Sequence, residues 1–172
     1  MSIKHINPTG ALKSIPRGYS HVVRADNVGS VVVVAGQGAV DADLKIVGGD
    51  SIEEQTRVTF RNIERNLKAA GAGWKDVIKM NIFCSDVATQ QWPIRNVRSE
   101  FIQVDNPPVS TMIQVSGFAI PGMLLEVDVY AVLQAEPARA AAATARKSVA
   151  KKSTAKKSTA KKSAAKKPKR RR

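Results

Sequence analysis

Ser51-Ile-Glu-Glu-Gln-Thr-Arg-Val-Thr-Phe-Arg-Asn-Ile-Glu-Arg-Asn-Leu-Lys-Ala-Ala-Gly71 is the stretch that decides the fold. Ser51 and Glu54 match the Ser-x-x-Glu capping box, in which each side chain satisfies an unpaired amide at the other residue. Ile52, Thr56, Phe60, Ile63, Leu67 and Ala70 then recur at steps of four and three, one face of a helix. Gly71 supplies the residue that stops it. A helix with a single apolar stripe must bury that stripe against another element, and the segments on either side of it read as strands.

Upstream, residues 20–26 and 30–35 carry strand composition, and Asn27-Val28-Gly29 between them predicts a hairpin. Val31 to Val34 is a β-branched run typical of a strand covered on both faces. Residues 36–50, rich in Gly and Asp, read as a loop or irregular hairpin. Downstream, residues 77–84 form a strand. Residues 89–104 predict a second helix starting near Pro93, with Ile94, Val97, Phe101 and Val104 on one face. Asp105-Asn106-Pro107-Pro108 breaks it. Residues 109–115 and 124–133 are the last strands. The order β-β-α-β-α-β-β predicts an α+β architecture with two helices on one face of a mainly antiparallel sheet.

Charge divides the chain in two. Residues 135–172 hold 15 Lys and Arg against one acid, Glu136, whereas residues 1–134 hold 13 of each and are neutral. The expected organisation is a globular domain over 1–134 and a disordered basic tail over 135–172, since the tail has too little apolar surface to offset its ordering entropy. No apolar run is long enough to span a bilayer, and the N-terminus lacks a secretory signal. One cysteine, Cys84, excludes an internal disulfide framework. The expectation is a cytoplasmic protein without membrane insertion.

Few residues carry an isolated chemical signal. Gly36-Gln37-Gly38 follows a strand, but the third glycine of a dinucleotide fingerprint would fall at Asp41 and no helix follows. Asp41 and Asp43 lack the other ligands of a calcium loop, and two histidines, His5 and His21, make a poor metal site, so no metal is expected. Cys84 reads as a buried structural thiol. Glu126 and Asp128 fall on one face of the last strand, about 6.5–7 Å apart at their Cα atoms, where they either position a water or lie in a solvated surface.

The segments Arg17-Gly18-Tyr19-Ser20, Val34-Ala35-Gly36-Gln37-Gly38, Gln55 through Asn62 to Gly71, the Asn96 helix, Pro108 to Thr111 and Leu125-Glu126-Val127-Asp128 occur in an order that resembles the RidA/YjgF family. The likeness covers roughly residues 15–133. It implies a chorismate-mutase-like α+β fold, a homotrimer, and a small-molecule cleft between subunits. It further implies hydrolysis of 2-imino or 2-enamino acids to keto acids and ammonia without metal or organic cofactor. In that chemistry an arginine clamps the substrate carboxylate and a glutamate positions water. Carried over by position, Glu126 is the catalytic glutamate, and Tyr19, Ala35, Gly36, Asn96, Ser110 and Met112 are substrate-binding. The arginine itself is missing. Ser110 or Val109 stands at its place, according to register, and no Lys or Arg occurs between Arg98 and Arg139. The resemblance therefore implies an arginine-less relative with a neutral or amine-bearing ligand, catalytic or merely binding, unless a neighbouring subunit supplies Arg17, Arg95 or Arg98.

The tail repeats Ala-Lys-Lys-Ser-Thr with a period of five and ends in Lys-Lys-Pro-Lys-Arg-Arg-Arg. Lys151, Lys152, Lys156, Lys157, Lys161, Lys162, Lys166, Lys167, Lys169, Arg170, Arg171 and Arg172 are candidate phosphate contacts for nucleic acid or another polyanion. Such contacts act through counterion release and carry no sequence information. Its composition resembles linker-histone tails. Nucleoid association follows if the partner is DNA, and nuclear import is the alternative reading in a eukaryotic host.

Overall fold

A computed structural model describes residues 1–135, which form one compact unit. The expectations placed on the tail lie outside the described residues. The decisive helix is present as α1, Ile52–Ala69. Ser51 caps it, its hydroxyl accepting from the Glu54 amide at 3.3 Å. Only half of the capping box forms, because the Glu54 carboxylate pairs with Arg57 instead. At the other end Gly71 adopts φ 76°. Ala72 N–H then donates to Leu67 O at 2.8 Å and Gly71 N–H to Lys68 O at 3.1 Å, the paired bonds of a Schellman stop. Thr56, Phe60, Ile63 and Leu67 are fully buried along the predicted stripe, while Ala70 is exposed.

The strands are β1 (Ser2–Ile6), β2 (Val22–Asp26), β3 (Val28–Gln37), β4 (Val77–Cys84), β5 (Val109–Gln114) and β6 (Leu125–Gln134). The predicted order holds, with one strand, β1, added at the front. The predicted hairpin between residues 20–26 and 30–35 does not form: β2 pairs antiparallel with β1, and β3 with β6. Asn27, at φ 56°, redirects the chain from one sheet into the other rather than folding it back. The four-stranded sheet runs β3-β6-β4-β5, antiparallel except for the β4–β5 pair.

The second helix, α2, covers Val87–Arg98 rather than 89–104. Asp86 starts it, its carboxylate accepting from Ala88 N–H at 3.0 Å and from the Thr89 hydroxyl at 2.6 Å. That cap draws the helix start upstream and leaves Pro93 inside it. Ile94 and Val97 are buried as predicted, but Val104 is exposed beyond the helix end.

Both helices pack against the sheet through one core. Leu125, Val127, Val129 and Ala131 of β6 alternate inward beside Met80, Ile82 and Cys84 of β4, under Phe60, Ile63 and Leu67 of α1 and Ile94 of α2. The opposite face of the sheet carries Val31, Val33, Ile113 and Tyr130 in the open. The Val31–Val34 run is thus covered on one side only within a single chain.

Candidate functional site

The candidate residues separate into two groups on opposite faces of the sheet. The first surrounds Glu126. Its neighbours on the strand, Leu125 and Val127, point into the core, so Glu126 faces the open side. Between Val34↔Val129 and Gln37↔Val127 strand β3 uses three steps where β6 uses two, an extra residue that bulges the chain at Ala35-Gly36. The bulge brings the Gly36 backbone against the Glu126 carboxylate, so closely that a Cβ at position 36 would collide with it. Ala35 and Gly36 are exposed beside it. A depression of about 230 Å³ leads to the carboxylate, lined by Phe83, Val115, Gly117, Phe118 and Ala119. Asp128 does not join Glu126 as a second free carboxylate, because it accepts from Asn81 Nδ2 at 2.9 Å.

The second group lies on the helix side, at the edge strand β5. A cavity of about 310 Å³ is lined by Tyr19, Ser110, Thr111 and Met112 together with Arg17, Arg95 and Arg98. Three of the residues carried over by position therefore do converge, and they converge on guanidinium groups. Arg98 ends α2 and is 6% exposed. Its Nη1 donates to the Ser110 hydroxyl at 3.5 Å and its Nη2 to the Arg17 carbonyl at 3.2 Å. Gly18 permits this approach, since at φ 76° it closes the 3-10 turn Ile15–Arg17, and any side chain there would meet the Arg98 guanidinium.

The β5 motif itself carries no cation, yet the cavity at Ser110 is lined by three guanidinium groups. The guanidinium missing from β5 arrives at Ser110 from α2 of the same chain, which a reading confined to the β5 motif did not reveal. The clue was in the sequence as Arg95 and Arg98, three apart on one helix, but only packing shows that they meet β5.

Desolvation, reinforced by the charge of Arg95, pulls Arg98 down from its ordinary value to about 10. Desolvation and the nearby Arg17 charge also lower Arg95, while Tyr19 opposes them. The Arg95 guanidinium carbon stands 5.0 Å over the Trp92 ring centroid, a cation–π arrangement. Beyond the arginines a smaller cavity of about 190 Å³ continues past Trp92, Asn96, Ile15, Pro16 and Val104. Asn96 thus belongs to this outer space rather than to the cavity of Tyr19 and Ser110.

Cys84 is buried, and loss of hydration pushes its thiol up. His5 and His21 each bond a backbone carbonyl, Pro107 O at 2.9 Å and Leu12 O at 2.7 Å, and lie in different places. Among the described residues no helix is long and apolar enough to cross a membrane.

The geometry has counterparts among known proteins. The family model described as Endoribonuclease L-PSP matches residues 11–133. A RutC family protein of Pyrococcus abyssi is 32% identical over 102 residues, 59% of this chain and 78% of that protein. A solved structure of a Rid family protein of unknown function from Yersinia pestis shares 28% identity at a TM-score of 0.66, spanning 77% of this chain and all of the other. A YjgF/YER057c/UK114 family member from Mycobacterium tuberculosis is 31% identical at a TM-score of 0.52, again over 77% of this chain. Matched over most of its described residues in sequence and in fold, the chain belongs to the endoribonuclease L-PSP family, that of the RidA/YjgF proteins.

Proposed function

We propose that the protein hydrolyses a small anionic imine or enamine, releasing ammonia, in a cleft completed between copies of the chain. The observation that carries this reading is the Arg98 guanidinium bonded to Ser110, a cation where the family chemistry needs one. Tyr19 and Met112 line the same cavity. Glu126 faces away from it across the sheet, so no small ligand touches both within one chain. A second copy that presents its Glu126 face to this edge completes the site, and a homotrimer is the assembly that the family resemblance implies. Glu126 holds a water and accepts its proton as the oxygen adds to the C=N carbon. The proton passes to nitrogen, the C–N bond breaks, and a carbonyl compound and ammonia leave. Arg98 takes the anionic end of the substrate with a fork of donors. Asn96 and the Ala35-Gly36 bulge border the cleft.

Glu126→Gln is expected to lower ammonia release from an imine and enamine panel by about a hundredfold or more, the usual contribution of a general base, with the circular dichroism spectrum unchanged. Equal release by variant and parent removes Glu126 from the chemistry.

The second reading is a metabolite-binding module without turnover, tethered to nucleic acid by its tail. The confinement of the net charge to residues 135–172 favours it. Duplex DNA binding by the full chain should fall steeply with salt, with a log–log slope of about −0.9 per phosphate contacted. A chain ending at residue 135 should lose that binding; if it binds DNA as well as the full chain, the tail has no such role.

A further inference from the structure

Buried charges in proteins are paired, because an unpaired ion forfeits its hydration with nothing in return. Arg98 departs from that rule, with the half-buried Arg95 and the exposed Arg17 beside it. They line one cavity, and among the described residues no carboxylate forms an ion pair with any of them. The acids that do pair with arginines in this chain sit elsewhere, on Arg24 and Arg57. Arg98 reaches only neutral oxygens, the Ser110 hydroxyl and the Arg17 carbonyl. Arg95 Nη1 is fully buried and has no hydrogen-bond partner at all. Three hydroxyl-bearing side chains, Tyr19, Ser110 and Thr111, border the same space.

From this we infer that the arginine cavity is a phosphate-type dianion site, whose ligand is a small phosphate monoester held by Arg17, Arg95 and Arg98. A single carboxylate neutralises one guanidinium and would leave two cations facing each other. A tetrahedral dianion offers three terminal oxygens, enough to occupy the vacant donor on Arg95 and to share the charge of its neighbours. The smaller cavity beyond the same arginines, with Trp92, Ile15, Pro16 and Val104 on its walls, takes the organic part of the ester. The inference deepens the proposed function by naming the anionic group of the ligand, but it concerns binding and does not need Glu126.

The test uses the full chain at about 0.15 M salt, which screens the tail, and titrates inorganic phosphate and acetate by calorimetry. Phosphate is expected to bind one site per chain, and acetate at least about tenfold more weakly. Arg95→Gln and Arg98→Gln should each weaken phosphate by about tenfold or more, the scale of a lost charge-assisted bond, and the tail is identical in all three proteins. Arg95 is only partly buried, so Arg95→Gln carries the test if Arg98→Gln does not fold. Phosphate binding undiminished in Arg95→Gln assigns the heat to the tail and overturns the inference. Acetate bound as tightly as phosphate overturns it too, leaving a plain carboxylate clamp. Phosphate binding that persists in a protein releasing no ammonia from any imine leaves this site standing while the hydrolase reading falls.

Discussion

Arg98 is a charge that the fold buries without a counter-charge. Its guanidinium is nearly buried and crowded by Arg95, and together these pull it to about 10. A cation whose folded-state value is depressed binds its proton less tightly in the native state than in the unfolded chain. The resulting penalty is fully present at neutral pH and is relieved only as the pH rises through about 10 toward the ordinary arginine value. Replacing a buried charge by an apolar side chain of similar volume is often stabilising by about 1–4 kcal/mol. In buffer free of multivalent anions, Arg98→Met is therefore expected to unfold at higher urea than the parent. The gap should narrow by about 1 kcal/mol between about pH 9 and about pH 11. Chemical denaturation of the two proteins side by side reads both effects, and a variant less stable than the parent at neutral pH contradicts them. None of this was legible in residues 108–111, where the family motif is expected, because Arg98 lies on a different element.

At the scale of elements, α1 was readable because its signals are local. A cap, a stripe with a period near 3.6 and a terminal glycine all act within a few residues. What Gln55 does was not readable. It is fully buried at the first turn of α1, and its amide donates to Gly49 O at 2.6 Å and to Gly122 O at 2.8 Å, while its carbonyl accepts from Leu124 N–H at 2.9 Å. One side chain thus ties the loop before α1 to the loop that delivers β6 and, with it, Glu126. Gln55→Leu keeps most of the volume but orphans three backbone groups. The expected loss is about 2–4 kcal/mol of unfolding free energy, measured by urea denaturation, since each buried unpaired group costs about 1–3 kcal/mol and some regain water. A loss below about 1 kcal/mol would mean that the two loops are held by other contacts. The same limit explains the misread second helix. Pro93 looks like a start from its own neighbours, but the Asp86 cap, two turns earlier, wins. It also explains the failed hairpin, for a positive φ at Asn27 serves a bend between sheets as well as it serves a turn.

For the whole molecule, the open face of the sheet is the unfinished part. Val31 and Val33 are 63% and 61% exposed, with Tyr130 opposite Val33 and Ile113 on the far edge strand of the same face. An apolar surface of this kind on a sheet whose other face is a packed core calls for a partner. On the function proposed above, a second copy both covers it and brings Glu126 to another chain's arginine cavity. Val31→Asp with Val33→Asp is expected to give a folded monomer by light scattering, with ammonia release lost alongside assembly. A monomeric parent protein, or a monomeric variant that keeps full activity, overturns the site shared between chains.

The sequence by itself determined what depends on short-range pattern and on composition. That covers the α+β order, the apolar stripe of α1, the inward alternation of β6, and the confinement of the net charge to residues 135–172. Each follows from periodicities of 2 and 3.6 or from residue counts, which need no knowledge of which segments meet. Only the tertiary structure decided that β2 turns away from β3, that a bulge at Ala35-Gly36 frames Glu126, and that Arg98 comes to rest on Ser110. Those are contacts between residues far apart in the chain. Their geometry is set by how helices and strands pack around one core, and a linear pattern does not encode it.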